Sequence, residues 1–392
     1  MRRFSAQYII TGTGDILKRG IITTDRNGLI TAVSDTDGEL PELSQTEFYN
    51  GIIVPGFINC HCHLELSAMH GQLAPGGGLG SFIRKVRETR PPVDEDPEKS
   101  IAAADKMMYD KGTSVCADIC NSSATFETKE RSPLSYINFL EVFGVDPLKA
   151  PKRISEVLEL KKTADKYSAP SCIVPHSFYS ASARLLKMVK ELASDNELNT
   201  VHFMESGQEA LLMEDTTGPL MESYRAMGIG EAVLRDRVSS HLAGVRDYIS
   251  NSGNLLLVHN TFASPEDIRA ASSRPGTFFC ICPRSNIFIE STLPPVNTLR
   301  EQGATIVTGT DSLASNNSLN ILDELKVISN NFPALSLAEM IGWATINGAR
   351  ALKADSRYGS IETGKNPGLV LIENADLAAM RLKEGSTSRR LI

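Results

Sequence analysis

The sequence predicts an α/β fold, a (β/α)8 TIM-type barrel joined to a small β-sandwich domain built from both chain ends. Three observations lead to this prediction. Apolar runs alternate with longer amphipathic stretches through the middle of the chain, eight such runs can be counted, and short β-rich segments occur near both ends. Alternating strands and helices are typical of a parallel sheet, and eight repeats fit a closed barrel. An open doubly wound sheet is the alternative on this pattern.

The elements follow from local pattern. The predicted barrel strands are short apolar runs at 52–60, 113–118, 136–143, 171–175, 199–204, 255–259, 278–282 and 304–309. The predicted helices are the amphipathic stretches 97–111, 151–166, 181–195, 229–251, 264–272 and 318–330. Residues 7–11, 20–24 and 367–373 are β-rich and are bounded by turn residues. We therefore predict a composite β-domain of residues 1–54 and 355–392, and a catalytic barrel of residues 55–354.

Composition narrows the function classes. Of the 392 residues, 41% are hydrophobic and 22% are charged, and the net charge is −7. No block of five or more Lys and Arg occurs, which disfavours nucleic acid and anionic membranes as partners. No apolar run approaches the roughly 18 residues of a transmembrane helix, and no cleavable signal sequence is predicted. The seven cysteines are thinly spread and lie mostly in apolar runs, so we expect buried free thiols in a cytoplasmic protein.

The glycine-rich segment 76–80 contains neither pattern of a nucleotide-binding loop. We predict instead a mobile loop over the mouth of the barrel.

Two histidines end the first predicted strand. Because side chains alternate along a strand, His61 and His63 point to one face and can bind a single metal ion. A Cys-His-Cys-His zinc knuckle is not expected, since its ligands would face opposite sides of the strand. His-x-His alone is a weak motif.

Other strand ends strengthen the metal hypothesis. His202 and His259 end the fifth and sixth predicted strands, and Asp311 follows the eighth. The carboxyl ends of barrel strands meet on the face where barrel enzymes carry out chemistry. Their convergence, rather than any single residue, predicts a catalytic site there.

Several segments together resemble the amidohydrolase superfamily, and in particular its metal-dependent deaminase branch. They are 55–63, 201–205, 257–260, 309–311 and the tail segment 359–370. The resemblance implies four metal ligands, namely His61, His63, His202 and Asp311. It makes Glu205 the proton shuttle and His259 the residue that orients and deprotonates the attacking water. Asp311 also accepts a proton in this scheme.

The cofactor implied is one divalent metal ion, with Zn²⁺ expected and Fe²⁺ as the alternative. Neutral imidazoles and one carboxylate suit Zn²⁺, which can lower the pKa of a bound water to about 7. Relatives with two metals carry a carbamylated lysine at the end of strand four. Here that strand end carries His176, and the next lysine, Lys187, lies in a predicted helix. A single metal follows, which favours deamination over ring opening.

The reaction implied is hydrolytic deamination of an aminopurine-type ring, with release of ammonia. Segments 63–67, 140–144, 282–286 and 311–316 are similar to the aminodeoxyfutalosine deaminases, whose substrate is an adenosine derivative with a distal carboxylate. Candidate substrate contacts are His176, Glu65, Glu141 and Arg284. We predict that Arg284 binds the distal carboxylate; the alternative is an ion pair with Glu141 or Glu65 that only holds loops together.

Other functions stay open at this point. An amidase or chlorohydrolase of the same superfamily could use the same site, and a non-catalytic metal-binding scaffold is the alternative outside enzymes. The expected partner is a small-molecule substrate. A homodimer is a further hypothesis.

Overall fold

The computed structural model describes residues 1–39, 45–89 and 96–392, and its strands fall into three sheets. The strands are β1 Arg2–Ile10, β2 Ile16–Lys18, β3 Ile21–Thr24, β4 Ile30–Ser34, β5 Thr46–Pro55, β6 Phe57–Cys62, β7 Thr113–Cys120, β8 Ser135–Val142, β9 Ser171–Pro175, β10 Leu198–Phe203, β11 Asn254–His259, β12 Thr277–Ile281, β13 Ile306–Thr308, β14 Leu369–Glu373 and β15 Thr387–Arg390. The α-helices are α1 Gly78–Glu88, α2 Pro97–Asp110, α3 Phe126–Arg131, α4 Ala150–Ala164, α5 Ala183–Leu192, α6 Gly207–Asp215, α7 Gly218–Ala226, α8 His241–Tyr248, α9 Pro265–Ser272, α10 Pro283–Glu290, α11 Val296–Glu301, α12 Ile321–Asn331, α13 Leu337–Gly342 and α14 Gly348–Ala351. Short 3-10 helices span Leu64–Met69, Pro147–Lys149 and Glu231–Arg235, and Trp343–Asn347 forms a π-helical turn.

Two parallel sheets of four strands, in the orders β6-β7-β8-β9 and β10-β11-β12-β13, form the centre of the α/β fold. Isolated parallel bridges join the two sheets at both edges, one between Ser177 and His202 and one between Cys62 and Asp311. Every residue of β7 is buried, as expected for a parallel strand covered on both faces. Candidate site residues therefore lie at both junctions between the sheets.

A third, mixed sheet combines strands from both ends of the chain. Its order is β15-β14-β5-β1-β3-β4, with β2 paired to β1. Strand β5 pairs parallel to β1 and antiparallel to β14. The folding of this sheet into a sandwich stays a prediction.

The single predicted strand 52–60 is wrong, because Gly56 divides it. Strand β5 ends at Pro55 in the mixed sheet, and β6 begins at Phe57 in a parallel sheet. A Cβ atom at Gly56 would lie 1.9 Å from Ser114 Oγ and 2.4 Å from the carbonyl oxygen of Pro367. Only glycine allows the chain to pass between the two sheets at this close approach.

Two further predictions of secondary structure need correction. The predicted helix 229–251 is interrupted, because the Ser240 hydroxyl accepts a hydrogen bond from the backbone N–H of Ala243 and so begins α8 as a new helix. The segment 76–80 is not entirely a loop, since α1 begins at Gly78. The mobility predicted for this segment stays a prediction.

All seven cysteines are free, and six of them are buried. This agrees with the expectation of buried thiols. Among the residues that the structure describes, no helix is both long and apolar enough to span a bilayer.

Candidate active site

A cavity of 690 Å³ opens at the carboxyl ends of the parallel strands. Most of the predicted site residues line it, namely His63, Glu65, Glu141, His176, His202, Glu205, His259 and Asp311. Its volume lies within the range of about 300–1,000 Å³ that is usual for small-molecule sites.

His61 lies in β6, and His63 directly follows this strand and lines the floor of the cavity. His61 is buried, and within the described part of the chain neither of its ring nitrogens has a hydrogen-bond partner. Its Nε2 atom lies 3.7 Å from Asp311 Oδ1, and His63 Nε2 lies 3.6 Å from the same oxygen. A buried polar atom without a partner costs free energy, so this arrangement is suited to an added ligand.

His202, on β10, completes a cluster of three imidazoles. Its Nδ1 atom lies 3.0 Å from the backbone carbonyl oxygen of His176, which accepts the Nδ1 proton and leaves Nε2 free of hydrogen. That Nε2 atom lies 3.3 Å from His63 Nε2. One ring nitrogen from each of His61, His63 and His202 lies within 4.8 Å of the others, which is close enough to hold one metal ion.

Asp311 supplies a carboxylate to the same point. Its Oδ2 atom accepts hydrogen bonds from the hydroxyls of Ser285 at 2.5 Å and Ser315 at 2.8 Å, which leaves Oδ1 facing the histidines. Burial opposes ionisation, but the imidazoles close to the carboxylate, those of His61 and His63 among them, outweigh it and lower the pKa of Asp311. Asp311 therefore stays ionised, in the form that binds a metal.

Glu205 and His259 lie side by side at the edge of the cluster. His259 Nε2 is 3.6 Å from Glu205 Oε1. The backbone is strained at both places: Met204 (φ 51°), just before Glu205, and His259 itself (φ 79°) adopt the left-handed conformation that non-glycine residues seldom use. Such strain is concentrated at functional sites.

The two groups differ in protonation. Burial lowers the pKa of His259 to about 3, so its imidazole is neutral near pH 7. The side-chain amide of Asn286 donates to His259 Nδ1 at 3.2 Å, which leaves the single ring proton on Nε2. Burial and the charge of Asp311 raise the pKa of Glu205 well above its usual value.

A second polar group lies along one wall of the cavity. Glu65 accepts hydrogen bonds from the backbone N–H groups of Asn121 and Ser122, and the Asn121 amide donates to Glu141 Oε2 at 3.1 Å. Burial raises the pKa of Glu141 to about 8. His176 binds the Ser180 hydroxyl through Nδ1 at 2.8 Å, so its Nε2 atom stays available to a ligand.

The structure does not bring Arg284 to the cavity. Its Nε donates to Asn316 Oδ1 at 2.7 Å and lies 4.0 Å from Glu324 Oε1, and its backbone N–H donates to Glu324 Oε2. Neither Glu141 nor Glu65 is its partner. This placement does not support the predicted contact between Arg284 and a substrate carboxylate, which stays untested. The arginine follows β12 as predicted, but it lies within α10, where it faces α12.

Sequence reasoning assigned no role to several side chains that support the site. Ser285, Asn286 and Ser315 lie within segments 282–286 and 311–316, which carry the family resemblance. That resemblance could have identified them as residues that support the site. Asp118 accepts a hydrogen bond at 2.7 Å from the backbone N–H of Leu64, the residue directly after His63. The Asp118 carboxylate also pairs with the buried Lys129 at 2.5 Å. The position of Asp118 near the carboxyl end of β7 could have indicated that it lies close to the site.

The opposite wall of the cavity is apolar. Helix α1 contributes Phe82 and Ile83, and the segment from α7 onward contributes Tyr224 and Ile229. The cavity therefore combines a polar floor with an apolar side.

Comparison with known proteins agrees with this geometry. The pattern of the amidohydrolase family matches residues 52–385. The chain therefore belongs to the amidohydrolase family. It is 29% identical to an adenosine deaminase of Helicobacter pylori over 90% of this chain and 84% of that protein. It is 25% identical to a 5-methylthioadenosine/S-adenosylhomocysteine deaminase of Haloarcula marismortui over 94% of this chain and 84% of that protein.

A solved structure is also similar. It is the Helicobacter pylori aminofutalosine deaminase in complex with methylthio-coformycin, with a TM-score of 0.75 and 25% sequence identity. The match covers 95% of this chain and 92% of that chain.

Proposed function

We infer that the protein is a metal-dependent hydrolytic deaminase that acts on adenosine derivatives. The family match and the names of the similar deaminases support this function. The observation that carries it is the convergence of His63, His202 and Asp311 on one point of the cavity floor, with the Glu205–His259 pair beside it.

We also propose that the two parallel sheets form one closed eight-stranded barrel. The bridges Ser177–His202 and Cys62–Asp311 support closure at both edges. On this view, the barrel spans residues 55–354, and residues 1–54 and 355–392 form the small composite domain. A homodimer and a cytoplasmic location stay predictions from the sequence.

The residues at the floor fit one divalent metal ion. Among the residues that the structure describes, none pairs with the ring nitrogens of His61. In His202 and Asp311, a hydrogen bond on one side-chain atom leaves the other atom free for a metal. Three neutral imidazoles and a carboxylate suit Zn²⁺, and iron accepts the same donors. His176 follows β9 at the place where a bridging lysine would be needed for a second metal.

When bound, such a metal lowers the pKa of water and so supplies a nucleophile near neutral pH. The protein then has to move protons. Glu205, whose raised pKa lets it hold and release a proton, protonates the ring nitrogen next to the carbon that bears the amine. His259 orients the attacking water with its Nε2 proton. Because His259 carries that proton already, the two protons of the water go to carboxylates. Glu205 takes one, which replaces the proton that it gives to the ring nitrogen. Asp311 takes the other and passes it to the amine, which leaves as ammonia.

The remaining polar groups bind the substrate. His176 Nε2 donates to the purine ring or to the tetrahedral adduct as ammonia leaves. Glu65 and Glu141 lie on the wall beside it and can accept hydrogen bonds from ribose hydroxyls. The apolar side formed by Phe82 and Tyr224 suits a substituent on the ribose.

The decisive experiment measures ammonia release from a substrate panel. The panel contains adenosine, 5′-methylthioadenosine, S-adenosylhomocysteine, aminodeoxyfutalosine and guanine, with a simple amide and a chlorotriazine as alternatives. We expect ammonia from adenosine derivatives in the metal-loaded enzyme. Activity only on the amide or the chlorotriazine would support the other hydrolases, and no turnover of any compound would favour a scaffold.

A further inference from the structure

A buried acid–histidine pair, Glu209 with His241, lies behind the segment that carries Glu205. Glu209 is fully buried, and His241 is almost so. Their side chains meet at 2.7 Å between Glu209 Oε2 and His241 Nε2. Burying a carboxylate is costly unless both of its oxygens are paired, so this contact needs a structural or functional reason.

The other oxygen of Glu209 reaches the backbone next to Glu205. Glu209 Oε1 accepts a hydrogen bond from the backbone N–H of Ser206 at 2.8 Å. That N–H belongs to the peptide unit that joins Glu205 to Ser206. On the other side of Glu205, Met204 is in the left-handed conformation. The backbone is therefore fixed on both sides of Glu205, and this determines where the Glu205 carboxylate points.

His241 ties the same segment to a different element. It is the first residue of α8, whereas Glu209 lies in the first turn of α6. Its ring also packs edge-on against Phe203, with ring centroids 5.5 Å apart. His241 therefore contacts the residue two before Glu205 and, through Glu209, the residue after it.

We propose that His241 and Glu209 are positioning residues that hold Glu205 in the orientation needed for proton transfer. The inference rests on the proposed function, because it assigns the pair to the same reaction. Neither residue lines the cavity, so neither is expected to touch substrate. The pair should therefore affect kcat rather than KM.

The test compares two variants at His241 in the metal-loaded full chain. His241→Leu removes the donor to Glu209, and His241→Gln keeps an N–H donor near the same place. We expect His241→Leu to lower kcat by roughly 10- to 100-fold, since small misplacements of a reacting group have effects of that size. KM and the metal content should be unchanged, and His241→Gln should recover most of kcat.

A double-mutant cycle separates positioning from stability. If His241 acts through Glu205, His241→Leu should cause almost no further loss of kcat when Glu205→Gln is already present. The matched control is Tyr136→Phe, which removes a buried 2.7 Å hydrogen bond to Asp105 at the opposite end of the strands. It should lower the Tm without changing kcat.

Three outcomes would overturn the inference. They are an unchanged kcat in His241→Leu, a loss of kcat in His241→Leu no larger than that in Tyr136→Phe, and a fold loss of kcat on His241→Leu that is the same with and without Glu205→Gln. If His241→Leu does not fold, His241→Asn replaces it, because its shorter amide falls short of Glu209, and the same criteria apply. An inactive wild type would instead remove the proposed deaminase function.

Discussion

At the scale of single residues, Glu205 is the group whose surroundings most clearly match its proposed role. A carboxyl group that is fully buried beside Asp311 holds its proton more strongly than a solvated one. It also lies 3.6 Å from the neutral His259 without belonging to the three-histidine cluster. The proton transfer proposed for Glu205 is therefore separable from metal binding.

The variant Glu205→Gln should keep the metal and lose most of the activity. The amide has nearly the same shape but cannot transfer a proton, and general acid–base catalysis contributes about 10²–10⁴-fold to rates. The measurements are kcat on the best substrate of the panel and the metal content of the purified protein. Loss of the metal together with activity would make Glu205 a ligand and change the proposed site.

Arg284 follows β12, as the sequence predicts, but its side chain contacts Asn316 and does not line the cavity. Because its guanidinium contacts Asn316 and lies near Glu324, Arg284→Met should lower stability by about 1.5–3 kcal/mol, the usual range for a hydrogen bond to a charged group. Its kcat/KM should fall equally on nucleosides with and without a carboxylate tail.

Thermal unfolding and kinetics on both substrates check the Arg284 prediction. Within the described part of the chain, the exposed Arg246 pairs only with its neighbour Asp247, so Arg246→Met offers a control with an expected effect within about 0.5 kcal/mol. A selective loss of roughly 30- to 150-fold on the tailed substrate, equivalent to about 2–3 kcal/mol, would return Arg284 to the substrate site.

At the scale of elements, the close approach of β13 and β6 positions two of the proposed metal ligands, His61 and Asp311. Gly309 directly follows β13, and a Cβ atom there would lie 2.8 Å from His61 Cβ and 3.0 Å from His61 N. The backbone N–H of Thr310 donates to the His61 carbonyl at 3.0 Å across the same junction. The absence of a side chain at Gly309 thus allows His61 and Asp311 to meet.

The variant Gly309→Ala should separate these strands and weaken metal binding. Added volume at a tightly packed position costs about 1–3 kcal/mol, and here the displaced group is a proposed ligand. The Tm and the dissociation constant for Zn²⁺ should both change unfavourably. Gly342→Ala is the control, since nothing lies within 4 Å of its added Cβ; it should stabilise the protein by about 0.4–1 kcal/mol. Unchanged zinc affinity in Gly309→Ala would contradict the proposed role of the junction.

At the scale of the whole molecule, the proposed metal ligands come from two strands and from the chain that follows two strands. His61 and His63 belong to β6 and the residue after it, His202 to β10, and Asp311 to the chain beyond β13. A metal held by all of them would link both parallel sheets. Binding should therefore stabilise the complete fold rather than one loop.

Removal of the metal with a chelator should lower the Tm, and one equivalent of Zn²⁺ per chain should restore it. A ligand at about 100 times its Kd stabilises the folded state by about 2.7 kcal/mol. Differential scanning calorimetry with metal analysis measures both quantities. Glu205→Gln should show the same shift and Asp311→Asn a smaller one. Two tightly bound ions per chain, or a Tm that does not change when the metal is removed, would contradict one metal ion that links the two parallel sheets.

The sequence alone predicted the α/β class, the positions of most strands, and the strand ends that carry His61, His202, His259 and Asp311. These features are local, because apolar runs, alternation along a strand and polar residues at strand ends are all visible over fewer than about ten residues. The family resemblance added proposed roles for those positions. It is the match over residues 52–385 that places the chain in the family.

Only the tertiary structure decided which groups contact one another. Gly56 divides a continuous apolar run because Ser114 and Pro367 leave no space for a side chain, and neither is near it in sequence. The direction in which the Arg284 side chain points likewise depends on residues distant in sequence, Asn316 and Glu324. The pairing of Glu209 with His241 joins two helices that no local pattern connects. Contacts between distant segments arise from packing, and a sequence read along its length carries no direct record of them.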